Sequence, residues 1–232
     1  DYTDGAGNLD DIVISAGSTT GTISFTPTDD SIYDATSNET ATIDISGVSG
    51  GSATEDGTQN VTITITDDES APTVTLSRSA AAIDEDSSST VTITATLSNA
   101  TYQDVTVTID GTGGTGTEGT DFGTVSNITI SAGATTGTAT VDPTDDNVYE
   151  GDETAGISIS GVSGGGASES GSQSVTVTIT EDESAPTVTL TVSATSIAEN
   201  AGTSLTLTAT LSQAADEDVS VVIGTSGTAV EG

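Results

Sequence analysis

The chain contains no histidine, cysteine, methionine, tryptophan or lysine, and its one basic side chain is Arg78. Each absence removes a class of chemistry. Without cysteine there is no disulfide staple, and without cysteine or histidine there is no zinc or copper site built on sulfur or nitrogen. Thiol and imidazole catalysis are excluded on the same ground. Without lysine, no lysine–asparagine cross-link forms within this stretch. Against the single arginine stand 36 acids, a formal charge of −35 over 232 residues. Nucleic acid is excluded as a partner, because neutralising phosphates takes lysine and arginine. The stretch carries no signal peptide and no apolar run long enough to span a bilayer. Aromatic residues are 3% of the total, so any core is small and aliphatic.

What is present is strongly patterned. Charged residues are only 16% of the chain while 32% are hydrophobic, and the acids gather where strands end. This favours folded β-structure holding a cation over a solvated, disordered polyanion. Richness in Ser, Thr and Gly points to an extracellular or cell-surface setting; an acid-rich halophilic cytosolic protein is the competing reading.

Internal repetition is the dominant organisational signal. Ser70-Ala71-Pro72-Thr73-Val74-Thr75-Leu76 recurs at Ser184–Leu190, 114 residues on, and Ile45–Gly50 recurs at Ile159–Gly164 with the same shift. Thr28-Asp29-Asp30 matches Thr144-Asp145-Asp146 at 116, so the first copy holds a two-residue insertion between Tyr33 and Glu39. The repeat divides the chain into the C-terminal part of one unit (1–70), a complete unit (71–184) and the N-terminal part of a third (185–232). The motif Glu118-Gly119-Thr120-Asp121-Phe122 is echoed in its two halves by Glu231-Gly232 and Asp1-Tyr2. The expectation is a window on a longer array of neighbouring repeats.

Within 71–184, apolar residues alternate with Thr and Ser around Val74, Val91–Leu97, Val105–Ile109, Ile128–Ile130, Ala139–Val141, Ile157–Ile159 and Val175–Ile179. Seven short strands separated by Gly, Asp and Ser turns, with no helical period, predict an all-β, immunoglobulin-like Greek-key sandwich, repeated along a rod.

Five acidic motifs punctuate this unit: Ile83-Asp84-Glu85; Glu118 to Phe122; Asp145-Asp146 running on to Glu150-Gly151-Asp152-Glu153-Thr154; Glu181-Asp182-Glu183; and Glu199, which answers Glu85 in the next copy. Hard divalent cations want six to eight oxygen ligands, and Ca²⁺ accepts the irregular geometry of loops. A solvated acidic surface is the competing reading. The order of these motifs resembles the Calx-β domain, an immunoglobulin-like family found as a Ca²⁺ sensor in sodium–calcium exchangers and in tandem in bacterial surface and adhesion proteins. The resemblance implies calcium ligands at Glu85, Asp121, Asp145, Asp146, Glu150, Glu153, Glu181, Asp182 and Glu183. In the first part it implies Asp1, Asp29, Asp30, Glu39, Asp67, Asp68 and Glu69, and in the third part Glu199.

The junctions Glu69-Ser70-Ala71-Pro72 and Glu183-Ser184-Ala185-Pro186 are short and proline-restricted. Calcium at the adjacent acidic triplets would hold neighbouring units at a fixed angle. Asn38, Asn60, Asn99 and Asn127 lie in N-x-[ST] sequons, which admit N-linked glycans. The functional expectation is a structural or adhesive extracellular array, a rod or filament subunit whose partners are neighbouring repeats and identical chains. The alternative is a regulatory calcium-sensing unit of the exchanger kind. No enzyme is expected: paired carboxylates occur in glycosidases, but six aromatic residues in the whole chain leave little to platform a sugar.

Overall fold

The computed structural model describes residues 9–34, 39–200 and 202–229; Asp1 and Asn38 lie outside them. All regular elements among these residues are strands, and no helix is long and apolar enough to cross a membrane. The N-terminal stretch forms β1 (Ile32–Tyr33), β2 (Glu39–Asp44) and β3 (Asn60–Ile65). The middle forms β4 (Thr73–Arg78), β5 (Ala82–Asp84), β6 (Val91–Leu97), β7 (Ala100–Thr101), β8 (Val105–Gly114) and β9 (Ile128–Ile130). It continues with β10 (Thr136–Val141), β11 (Val148–Tyr149), β12 (Glu153–Ser163), β13 (Ser168–Glu169) and β14 (Ser174–Thr180). Last come β15 (Val188–Val192), β16 (Leu207–Leu211) and β17 (Ala214–Ala215).

The middle strands make two sheets, ordered β10-β6-β4-β13 and β5-β14-β12-β8-β9. Alternation dictates their facing. In β6, Val91, Ile93, Ala95 and Leu97 are buried while the threonines between them are only partly covered, because successive side chains of a strand point to opposite faces. The same rule turns Val105 and Val107 of β8, Ile128 and Ile130 of β9, and Ala155 and Ile157 of β12 into one shared core. All seven strands expected from the alternation are present. The first is split between the sheets: β4 runs antiparallel to β6 in one, and β5 runs parallel to β14 in the other. This division of the first strand links the two sheets and places Glu85, just past β5, beside the end of β14.

Phe122 is the largest fully buried side chain. It anchors the loop after β8 through bridges with Glu118 and Pro143. Where that loop leaves the sheet, Gly114 has φ +100°, and a Cβ there would sit 2.1 Å from the Thr154 carbonyl oxygen. Only glycine takes that backbone at that approach. The close passage lets Thr115 N–H donate to both Thr154 O (3.1 Å) and Thr154 Oγ1 (3.0 Å), which fixes the loop bearing Asp121 against the strand bearing Glu153.

The flanking strands repeat the central pairing in smaller sheets. β2 and β3 pair with Glu39 opposite Ile65; β12 and β14 pair with Glu153 opposite Ile179, 114 residues further on. β15 and β16 pair in the manner of β4 and β6. Two short parallel bridges tie these stretches to the centre: β1 to β7, and β11 to β17.

Candidate metal centre

Three groups of carboxylates converge, each with ligand oxygens within 4.8 Å of one another: Glu85 with Glu181, Asp182 and Glu183; Asp121 with Glu150 and Glu153; and Asp29 with Asp68 and Glu69. The first two lie at one end of the central sandwich. Parallel pairing of β5 and β14 continues as Glu85 N–H donates to Thr180 O (3.0 Å), which sets Glu85 beside Glu181. The turn Glu150-Gly151-Asp152 closes onto the same place. Gly151 adopts φ +81°, and the N–H groups of Glu150 and Gly151 both donate to Glu181 Oε2, at 2.5 and 2.6 Å. Asp152 Oδ1 in turn accepts the Glu181 N–H at 3.2 Å.

The electrostatics are those of crowded like charges. Glu85 is only 7% exposed, and burial, followed by the Glu181 carboxylate, pushes its pKa up to about 7. Burial and then Asp121 push Glu153 up to about 7 as well. Glu150 is raised by burial, then by Asp121 and Asp146, with Asp216 across the β11–β17 bridge adding to the effect. For Glu181, burial acts upward, but the converging N–H groups of Glu150 and Gly151 hold its carboxyl below the usual range. Glu183 is pushed up to about 7 by its hydrogen bond to Glu181, and one of its oxygens, Oε2, is buried without a hydrogen-bond partner. All-oxygen donors on loops, mutual repulsion and a buried acceptor without a donor together fit a hard divalent cation.

The third group is related but different. Asp29, Asp68 and Glu69 border a small cavity that Asp30, Glu39 and Tyr102 also line. Tyr102, which follows β7, reaches back across the β1–β7 bridge and donates its hydroxyl to Asp30 Oδ2 at 2.6 Å. This bond lowers the Asp30 pKa and raises that of Tyr102 to about 12. Glu69 is raised first by its hydrogen bond to Asp67.

Among the other expected ligands, three accept backbone N–H groups. Asp146 Oδ1 accepts the Val148 N–H (2.6 Å), and its own N–H faces Glu85. Asp30 Oδ1 accepts from Ile32 N–H (2.8 Å), and Asp67 Oδ2 from Asp34 N–H (3.1 Å). Asp145 and Glu199 are exposed and join none of the three groups among the described residues, and Glu39 borders the cavity without joining one. Asp1 lies outside the described residues. Of the sequons, Asn60 opens β3 and is exposed. Asn127 is exposed and accepts the Ile109 N–H through Oδ1 (3.0 Å). The Asn99 Nδ2, the atom a glycan would use, donates to Ser70 O (3.0 Å). Asn38 lies outside the described residues.

Sequence reasoning did not single out Tyr102 or Asp216, and named Asp152 only within an acidic motif. Tyr102 and Asp216 occupy the same position of the repeat, and that correspondence, set against the acids of the preceding copy, was the available signal. Glu118 belongs to an acidic motif, yet its Oε1 accepts the Val125 N–H (2.7 Å) and steadies the loop from within.

Residues 68–183, half of the chain, match the family model described as the LapA domain. The chain belongs to the LapA domain family. The match covers every central acid of the two converging groups, from Glu85 to Glu183. Among solved structures, the apo form of the Calx CBD1 domain aligns with 20% identity and a TM-score of 0.40, over 48% of this chain and 99% of that one. No curated protein matches. The family model that matches is therefore the LapA domain's, whereas the sequence motifs resemble Calx-β.

Proposed function

We propose that this LapA-family chain is a non-enzymatic stretch of an extracellular, tandemly repeated β-sandwich array, rigidified by calcium and serving a structural or adhesive role at a cell surface. The observation that carries the reading is where the carboxylates meet. Asp121, Glu150 and Glu153 gather beside β11, the short strand that bridges to β17 of the following stretch. Asp29, Asp68 and Glu69 gather beside β1, which bridges to β7 in the same way. A cation at either place would neutralise repulsion and stiffen the connection between neighbours in one step. The family's association with cell-surface adhesins supports the same reading.

The second reading is a regulatory calcium sensor of the exchanger kind. An acid group beside each of the two bridges, built from different positions of the repeat, favours a structural role at the junctions over one tuned switch. Calcium is the cofactor of either reading; neighbouring repeats and identical chains are the partners, with glycans at the sequons and no nucleic acid. Calcium titration by calorimetry, combined with small-angle scattering of the whole chain, tests the proposal. We expect saturable binding and a longer maximum dimension, with less flexibility, in calcium than in chelator. A chain that binds no calcium, or whose scattering is indifferent to it, would overturn the calcium-stiffened rod.

A further inference from the structure

The two bridges between neighbouring repeats are built on one plan. β1 pairs with β7 through Ile32–Ala100 and Tyr33–Thr101, and β11 pairs with β17 through Val148–Ala214 and Tyr149–Ala215. Ahead of each bridge an aspartate turns back on its own strand. Asp30 Oδ1 accepts the Ile32 N–H (2.8 Å), and Asp146 Oδ1 accepts the Val148 N–H (2.6 Å). Past each bridge the N–H of an acidic residue reaches the acidic triplet that follows: Asp34 donates to Asp67 Oδ2 (3.1 Å), and Glu150 donates to Glu181 Oε2 (2.5 Å). Within this shared framework, one difference reverses the hydrogen-bonding chemistry. The residue after the bridging strand of the next repeat is Tyr102 at the first junction and Asp216 at the second, 114 positions on.

A phenol has a proton to donate, and an ionised carboxylate has none. Tyr102 donates its hydroxyl to Asp30 Oδ2 at 2.6 Å. Both oxygens of Asp30 are thus taken by donors of the chain itself, one on its own strand and one across the junction. The second bond joins one repeat to the next without an ion. At the other junction Asp216 stands in the place of that donor. Its N–H reaches Tyr149 O at 3.3 Å, and burial, then Asp121, Asp146 and Asp216, raise the Glu150 carboxyl. Acceptor there faces acceptor across the junction, and the two sides repel until they share a cation.

We propose that this one position decides what locks a junction: Tyr102 locks the first by a hydrogen bond, with or without calcium, and Asp216 makes the second a hinge that a divalent cation closes by bridging Asp216 to Glu150. The inference rests on the calcium reading above and adds to it the choice of which junction responds. A cation among Asp29, Asp68 and Glu69 would add to the first lock without creating it. Tyr102 is 48% exposed and Asp216 is exposed, so exchanging the two chemistries disturbs no core.

The test uses the whole chain, which has no native cysteine, with spin labels at exposed strand threonines. Thr64→Cys with Thr138→Cys spans the first junction, and Thr138→Cys with Thr208→Cys spans the second. Distance distributions are recorded in chelator and in saturating calcium, and titration calorimetry of the same samples reads calcium binding. The first pair should give a narrow distribution in both conditions. The second should be broad in chelator and narrow in calcium. Tyr102→Asp should transfer the calcium dependence to the first pair. Asp216→Tyr, which supplies a donor toward Asp146, should make the second pair narrow in chelator. The melting transition of the central sandwich verifies that each variant is folded. Calcium binding with both junctions narrowing alike, or with variants whose distributions match the parent's, would overturn this inference and leave the calcium reading intact. No calcium binding in the calorimeter would overturn both.

Discussion

Replacing Glu85 by Gln separates the two roles of a carboxylate in the crowded cluster. Gln keeps the shape and removes the charge. Burial and Glu181 raise the Glu85 pKa from 4.5 to about 7 in the folded chain. Between those two values the folded state binds more protons than the unfolded state, so metal-free stability is fullest near and below the lower pKa and falls as pH rises through the upper one. At about 1.4 kcal/mol per pH unit, that interval corresponds to about 3 kcal/mol lost by about pH 8 in chelator. The E85Q variant carries no such loss, so in chelator at about pH 8 it should melt higher than the parent, by on the order of 10 °C for a unit of this size. In chelator near the lower pKa the two should converge, because the parent's carboxyl is then protonated. In saturating calcium the sign should reverse, since Gln is a weaker ligand and binding to the folded state is itself stabilising. Calorimetric melts of the whole chain, with calcium and with chelator at both pH values, read all four cases. A variant less stable than the parent in chelator at about pH 8 would refute the reasoning, because Glu85 would then be held by favourable contacts and not strained by repulsion.

Three other perturbations have defined outcomes. Phe122→Ala empties a fully buried site and should cost about 3–5 kcal/mol; chemical denaturation measures it, and amide exchange at the 117–123 loop should rise with it. Gly114→Ala brings a Cβ against the Thr154 carbonyl at a positive φ, so calcium affinity should fall because Asp121 is displaced from Glu153; an affinity equal to the parent's, by titration calorimetry, would count against that positioning role. Tyr102→Phe removes the hydroxyl donated to Asp30 and should loosen that exposed contact, seen as wider angular freedom between residues 9–65 and the central sandwich in spin-label distance distributions.

Much of this fold was legible in sequence because its strands are amphipathic with period two. Val91-Thr92-Ile93-Thr94-Ala95 leaves little choice of face, and β6 buries the expected side chains. The short strands β1, β7, β11 and β17 were not legible. Each has two residues and pairs across a long sequence separation, so no local pattern can announce it. The same contrast governs the acids. Glu85 and Glu181 follow directly from paired strands, and their meeting could be foreseen once those strands were recognised. Asp145 and Asp146 are neighbours on a loop, where the choice between capping a backbone N–H and facing a cation is made by turn geometry. Asp146 takes the N–H of Val148 while its charge also acts on Glu85 and Glu150, and Asp145 stays exposed. Tyr102 was missed because its partner, Asp30, lies in the preceding copy of the repeat.

The split first strand also decides how the central sandwich would bear tension. A pull toward the two ends of residues 73–180 draws β5 and β14 past each other lengthwise, because they run parallel and lie near opposite ends of the unit. Their hydrogen bonds, from Thr178 N–H to Ala81 O through Glu85 N–H to Thr180 O, are then loaded together in shear instead of opening one after another like a zip. Glu85 and Glu181 sit immediately beyond the last of these bonds. An ion held between them would bridge the two strands that a force must slide apart, so the chemistry of the acid cluster and the mechanical strength of the chain would be set at one place.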